Sequence, residues 1–218
     1  MSYFVFNKHS VIILRYREGW CMMEKQLPPG QFETDKWPIL HQGDIPFFDE
    51  TTWDFRLFGE VKEEKFFTYK EMMELPKTIS TVNMHCVTTW SKFDTSFEGI
   101  ALRELLKFVE LNEGVKYIKI YGYYNGDRFG YSANLPLEPL LRDDSLFVYR
   151  WKDKNHDWQD IAPKHGYPLR FIPPEVFYLW KGTKWVSGIE FMKEDEAGFW
   201  EEFGYSMTAN PFKEERYR

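Results

Sequence analysis

Met84–Gly99 reads MHCVTTWSKFDTSFEG, and the architecture expected of the whole chain hangs on it, above all on the thiol of Cys86. A thiolate is a soft donor suited to a soft or high-valent metal. The run Ile79–Val87 is strand-like and carries Cys86 at its end, with a loop expected to follow. A lone cysteine otherwise behaves as a small buried apolar residue. Its neighbours therefore carry the reading.

Upstream, Trp53, Phe55 and Leu57 alternate with Asp54, Arg56 and Phe58 before Gly59, the pattern of a strand with one buried face. Lys62–Lys65 is a solvated turn, and Thr68 with Glu71 three residues later forms a capping box that opens a short helix ending before Pro76. Downstream, apolar residues at helical spacing predict a core helix over Ala101–Leu111, closed by Asn112 and Gly114. Strands follow at Val115–Tyr124 and, past the turn Asn125-Gly126-Asp127, through Tyr131. Pro136–Leu141 suits one helical turn, and further strands are expected at Leu146–Trp151, Leu169–Ile172 and Trp185–Met192. The sum is an α+β domain, mainly strands in mixed sheets, with two or three short helices.

The 218 residues are enough for one full hydrophobic core. Residues 1–36 read as an N-terminal arm, with Leu27-Pro28-Pro29-Gly30 as a turn, leading into a domain over 37–218. The first twenty residues contain only short apolar runs, broken by Asn7, Lys8, His9 and Arg15, and read as neither a leader peptide nor a membrane span. Aromatic residues make up 19% of the chain, which favours strands and a rigid core, or a pocket for a flat ligand. A formal net charge of −6 and the lack of a basic stripe argue against a nucleic-acid or anionic-membrane surface. Two cysteines, Cys21 and Cys86, make no disulfide framework, so a reducing cytoplasm is the expected compartment. No phosphate loop or Cys-x-x-Cys pair is present, and a zinc site would need more ligands than two cysteines and five scattered histidines provide.

Cys86-Val87-Thr88-Thr89-Trp90-Ser91 and the following GIALRELL of residues 99–106 resemble the sulfite oxidase-like molybdopterin enzymes, in particular their small stand-alone branch with a Cys-Val-x-x-Trp-Ser motif. His165-Gly166-Tyr167-Pro168-Leu169-Arg170, Lys181-Gly182-Thr183-Lys184-Trp185, Gly204-Tyr205 and Asn210-Pro211 extend the resemblance to the C-terminus. It implies that fold, a molybdenum-molybdopterin cofactor, and Cys86 as the metal's protein ligand. Leu40 and His41 would lie in a loop closing over the pterin, and His165, Arg170, Gly182, Thr183 and Lys184 would hold it, the two cations at its phosphate. Tyr131, in Tyr-Ser-Ala-Asn-Leu-Pro, matches the segment carrying an active-site tyrosine, whose phenol can donate to an oxygen on the metal or the substrate.

The resemblance implies an oxidoreductase that transfers an oxygen atom to or from a small molecule. Sulfite oxidases proper place arginines shortly after the metal cysteine, whereas Thr88, Thr89, Trp90 and Ser91 stand here, so a neutral S-oxide or N-oxide is expected in preference to sulfite. Lys92, the one cation nearby in sequence, is expected to face solvent with Asp94. With no haem-binding extension, electrons are expected to pass through a separate protein. A binding or interaction module of the same fold, without catalysis, is the alternative; retention of Cys86, His165, Arg170 and Lys184 together speaks for the enzyme.

Overall fold

The computed structural model describes residues 26–218. In chain order its elements are β1 (Phe32–Glu33), β2 (Asp54–Gly59), β3 (Lys65–Thr68), α1 (Tyr69–Glu74), β4 (Thr78–His85), β5 (Trp90–Ala101), α2 (Leu102–Leu105), β6 (Tyr117–Tyr124), β7 (Asp127–Pro136), β8 (Leu146–Asp153), β9 (His156–Asp160), β10 (Arg170–Ile172), β11 (Val186–Met192) and α3 (Phe199–Glu202), with short 3-10 turns between. One sheet runs β1-β5-β8-β10, with β4 also paired to β5 and β9 to β8; the other runs β3-β2-β11-β6-β7. Pairing is antiparallel except for β1 on β5 and β11 on β2.

The two sheets share one core. Phe55 and Leu57 of β2, Ile118 and Ile120 of β6, and Ile189 and Phe191 of β11 pack with Ile100, Phe147 and Phe171 from the first sheet. Because side chains alternate along a strand, Leu146 and Val148 of β8 point the opposite way from Phe147, into a second apolar cluster that contains Trp37, Trp90, Trp151 and Cys86. The first sheet is thus buried on both faces over Leu146–Val148, which is why β8 opens with consecutive apolar residues.

The capping box at α1 is present as expected: Thr68 Oγ1 accepts from the Glu71 amide, and the Glu71 carboxylate accepts from the Thr68 amide. Three expectations need correction. The helix over Ala101–Leu111 shrinks to α2 and one 3-10 turn, because the backbone of residues 110–112 is taken by residues 60–62: Lys62 N donates to Glu110 O at 2.8 Å and Asn112 N to Glu60 O at 3.0 Å. The loop after Cys86 is only a tight turn, followed by the twelve-residue β5. Polar residues hid that strand, since Ser91, Lys92 and Thr95 are buried in it. Lys92 does not face solvent: its amine is 2.5 Å from Asp153 and donates to Asp35 O at 2.8 Å, with both charged side chains almost fully buried. Burial would raise the Asp153 carboxyl, but Lys92 and His156 hold it at about 2.

Residues 31–34, within the stretch read as an arm, run beside the start of β5. Phe32 N donates to Thr89 O and Thr34 N to Ser91 O, each at 2.9 Å. Among the described residues no helix is long and apolar enough to cross a membrane.

Candidate active site

β4 ends at His85, and the chain reverses through Cys86–Thr89 into β5. Cys86 N donates to Trp90 O at 2.9 Å and Thr89 N to Cys86 O at 3.1 Å, with Thr89 in the left-handed region at φ 74°. The turn presents the Cys86 sulfur to a cavity of about 310 Å³, within the range of roughly 300–1,000 Å³ typical of small-molecule sites. The sulfur lies 3.2 Å from the Thr88 hydroxyl. Among the described residues no three His, Cys, Asp or Glu side chains converge on one point.

Loops from both sheets complete the cavity. Leu40 and His41 form one wall, with the His41 ring edge-on to Trp185 at 5.5 Å and its Nδ1 3.1 Å from Gly43 O. The Asn125 carboxamide, in the turn between β6 and β7, anchors this loop by accepting from Asp44 N at 3.2 Å. Arg170 enters from β10 and Lys184 from the loop before β11. Gly166 lets these two cationic segments close on each other: a Cβ there would lie 3.1 Å from the Cβ atoms of both, and its φ of +117° suits only glycine. Gly122 does the same where β6 passes under the 182–185 loop, since a Cβ would meet Lys184 O at 2.3 Å.

Of the residues expected at the site, Cys86, Leu40, His41, Tyr131, Arg170, Gly182 and Lys184 line this one cavity. The side chains of His165 and Thr183 do not. The His165 ring is buried behind the wall, stacked on Trp37 at 4.3 Å, and its carbonyl accepts from Arg170 Nη1 at 2.9 Å. The Thr183 hydroxyl donates to Ile120 O at 3.2 Å, fastening its loop to β6. Tyr131 stacks on Phe199 and donates its phenolic hydrogen to Trp180 O at 2.9 Å. Burial, followed by the nearby Glu201, pushes that phenol's pKa upward.

Sequence reasoning left open whether the aromatic residues build a rigid core or a pocket for a flat ligand. Trp37, Trp90, Trp180, Trp185 and Trp200, five of the eight tryptophans among the described residues, line the cavity together with Tyr123 and Tyr205. The aromatic content was the available signal, but core and pocket rings look alike in a sequence.

The ionisable lining is basic rather than acidic. Among the described residues no carboxylate lines the cavity, while Arg170 and Lys184 do. Burial and the adjacent Arg170 push the Lys184 amine down to about 6. Burial pulls the Arg170 guanidinium down to about 10, against the opposing pull of Tyr131 and Cys86. Burial, then Arg170, Lys184 and Lys164, hold His165 neutral, at about 3. The Arg170 Nε is buried without a hydrogen-bond partner, a costly state for a charged donor unless an acceptor completes it.

The sequence profile of the oxidoreductase molybdopterin binding domain matches residues 42–200. This chain belongs to that family. It is 32% identical over 193 residues to an uncharacterized oxidoreductase, YuiH, of Bacillus subtilis, covering 88% of this chain and 92% of the relative. It is 23% identical over 193 residues to MsrP, the catalytic subunit of a protein-methionine-sulfoxide reductase of Campylobacter jejuni, covering 83% of this chain but only 64% of that protein. The fold is that of the sulfane dehydrogenase SoxCD of Paracoccus pantotrophus, with a TM-score of 0.58 at 17% identity, over 69% of this chain and 41% of that one. The protein is thus a molybdopterin-family oxidoreductase of mainly β, mixed-sheet, sulfite oxidase-like fold. Its cavity offers groups that suit such a cofactor: a soft sulfur donor, flat aromatic walls, and two basic side chains beside which no carboxylate of the described residues lines the cavity.

Proposed function

We propose that this protein holds a molybdenum-molybdopterin cofactor through Cys86 and catalyses oxygen-atom transfer on a neutral S-oxide or N-oxide in preference to sulfite. The observation that carries the reading is the convergence of Cys86 with Arg170 and Lys184 in one cavity that no carboxylate of the described residues lines. When bound, the cofactor supplies two-electron oxygen-atom chemistry that no protein side chain offers. The chain supplies the rest. Arg170 and Lys184 take the negative charge of the pterin and its phosphate, with the backbone of Gly182 and Thr183 beside them and His165 fixing Arg170 from behind. Leu40 and His41 close one side against water.

Both cations are committed to the cofactor in this arrangement. Among the described residues lining the cavity that leaves no further lysine or arginine for an oxyanion, whose unpaired burial costs several kcal/mol or more. A neutral oxide needs only hydrogen-bond donors and an apolar wall. The Thr88 hydroxyl and the tryptophan-rich lining provide them. Tyr131 assists by exchanging its bond to Trp180 O for one to the substrate oxygen. The methionine-sulfoxide reductase named among the relatives favours the S-oxide class. We further infer a separate electron-transfer protein as redox partner and, since two cysteines make no disulfide framework, a reducing cytoplasm as the compartment.

The test is an assay of cofactor-loaded protein with an artificial electron donor on a panel of sulfoxides and N-oxides, alongside sulfite oxidation with an artificial acceptor. Turnover of one or more oxides at a kcat/KM well above that for sulfite is expected. Efficient sulfite oxidation with little activity on every oxide would overturn the substrate reading. Repeated preparations without molybdenum, from a host that makes the cofactor, would overturn the metal.

A further inference from the structure

The turn that bears Cys86 is strapped from two distant parts of the chain, both outside the segment 42–200 that the family profile covers. The Gln31 side chain donates from Nε2 to Cys86 O at 3.0 Å, across 55 residues of sequence, while its Oε1 accepts from the Ser91 hydroxyl at 3.3 Å. Ser91 in turn meets His85 Nδ1 at 2.8 Å, so the residue before the turn is fastened to the same bracket. From the other end, 129 residues away, Arg216 Nη1 donates to Val87 O. The remaining carbonyls of the turn are also engaged: Thr88 O accepts from the Thr89 hydroxyl at 2.6 Å and Thr89 O from Phe32 N at 2.9 Å.

Arg216 does more than satisfy a carbonyl. Its guanidinium lies 5.2 Å from the centre of the Tyr178 ring, which stacks on Trp180 at 5.0 Å and 15°. Trp180 lines the cavity, and its carbonyl holds the Tyr131 hydroxyl. One cationic side chain therefore ties the turn carrying the sulfur to the wall carrying the tyrosine. The tail that delivers it is itself fixed, through Ser206 N to Arg216 O at 3.1 Å and Arg218 N to Gly204 O at 2.9 Å.

We propose that Gln31 and Arg216 are positioning residues of the active site, which together fix the Cys86 turn and set the placement of its sulfur relative to Tyr131. The proposal rests on Cys86 being the site's reactive ligand. The physical reason is preorganisation: a short turn with every carbonyl bonded cannot let its side chain wander, and a charge-assisted bond from arginine is the strongest of the set.

Two readouts test this, one without the cofactor. In cofactor-free protein, iodoacetamide labelling of Cys86, followed on its own peptide by mass spectrometry, should speed up several-fold in Arg216→Ala, as the turn samples open positions. In cofactor-loaded protein the same variant should lose about tenfold in kcat per molybdenum, the lower end of what partners behind a metal ligand are worth. KM should stay within twofold, and the sulfur-to-molybdenum charge-transfer band should move. Arg216→Lys, which keeps the charge and a donor, should recover most of the loss. Gln31→Glu, nearly isosteric but without the N–H donor, should change both readouts in the same direction, and carries the test if Arg216→Ala does not fold. Unchanged labelling together with unchanged kcat per molybdenum would overturn the proposal, as would a kcat loss that Arg216→Lys does not recover. Protein that never acquires molybdenum would defeat the functional reading, and the labelling arm alone then decides the straps.

Discussion

Lys184 carries its proton loosely. Burial and the neighbouring Arg170 bring its amine from the usual 10.5 to about 6, whereas the unfolded chain keeps the ordinary value. Between those pH values the unfolded state binds more protons than the folded one, so this residue makes the cofactor-free protein more stable as pH rises through the window. Lys77 and Lys181 are also lowered, chiefly by burial, and add slopes of the same sign. Lys184→Met should flatten the rise in unfolding midpoint that cofactor-free wild-type protein shows from about pH 6 upward. An identical slope in the variant would place the proton elsewhere. On the proposed reading cofactor binding would reverse the argument, because a phosphate beside the amine would favour the charged form. The resemblance named Lys184 and Arg170 as the cations expected at a phosphate, but the sequence did not say that they share a cavity wall on which no carboxylate of the described residues stands. That requires knowing which residues are absent from a space.

The capping box at α1 was legible because its determinants are local: Thr68 and Glu71 lie three residues apart and bond each other's backbone. Thr68→Ala should cost about 1 kcal/mol of stability, read from a denaturant unfolding curve, with kcat unchanged, since α1 does not line the cavity. A much larger loss would mean that the cap also fixes β3, which ends at Thr68. Elements whose determinants are distant were misread. The helix pattern at Ala101–Leu111 is genuine, yet only α2 and one 3-10 turn form, because Glu60 and Lys62 claim the backbone of Glu110 and Asn112. β5 went unseen because its buried polar residues find partners far away, Lys92 on Asp153 and Ser91 on Gln31.

At the scale of the molecule, the two sheets and the cavity form a scaffold whose charge balance an anionic ligand completes. Anything bound by the folded state alone stabilises it by mass action, about 2.7 kcal/mol when free ligand exceeds its Kd a hundredfold. Cofactor-loaded protein should therefore melt well above the cofactor-free form. Arg170→Met should erase most of that difference while shifting the cofactor-free melting point far less. The measurement is a pair of melting curves with pterin quantified by fluorescence; full pterin retention in Arg170→Met would remove Arg170 from the cofactor's partners.

The sequence by itself determined the mainly β fold, the strand that delivers Cys86 and the Asn125-Gly126 turn, because alternation and turn chemistry are written in neighbouring positions. Only the tertiary structure decided the rest. It moved Lys92 from solvent into a buried pair with Asp153, and it engaged the Tyr131 hydroxyl with Trp180 O. It also set five tryptophans around the cavity and brought Gln31 and Arg216 to the same turn. Each of these depends on which distant groups are left to satisfy one another once the chain has folded, and local pattern does not encode such pairings.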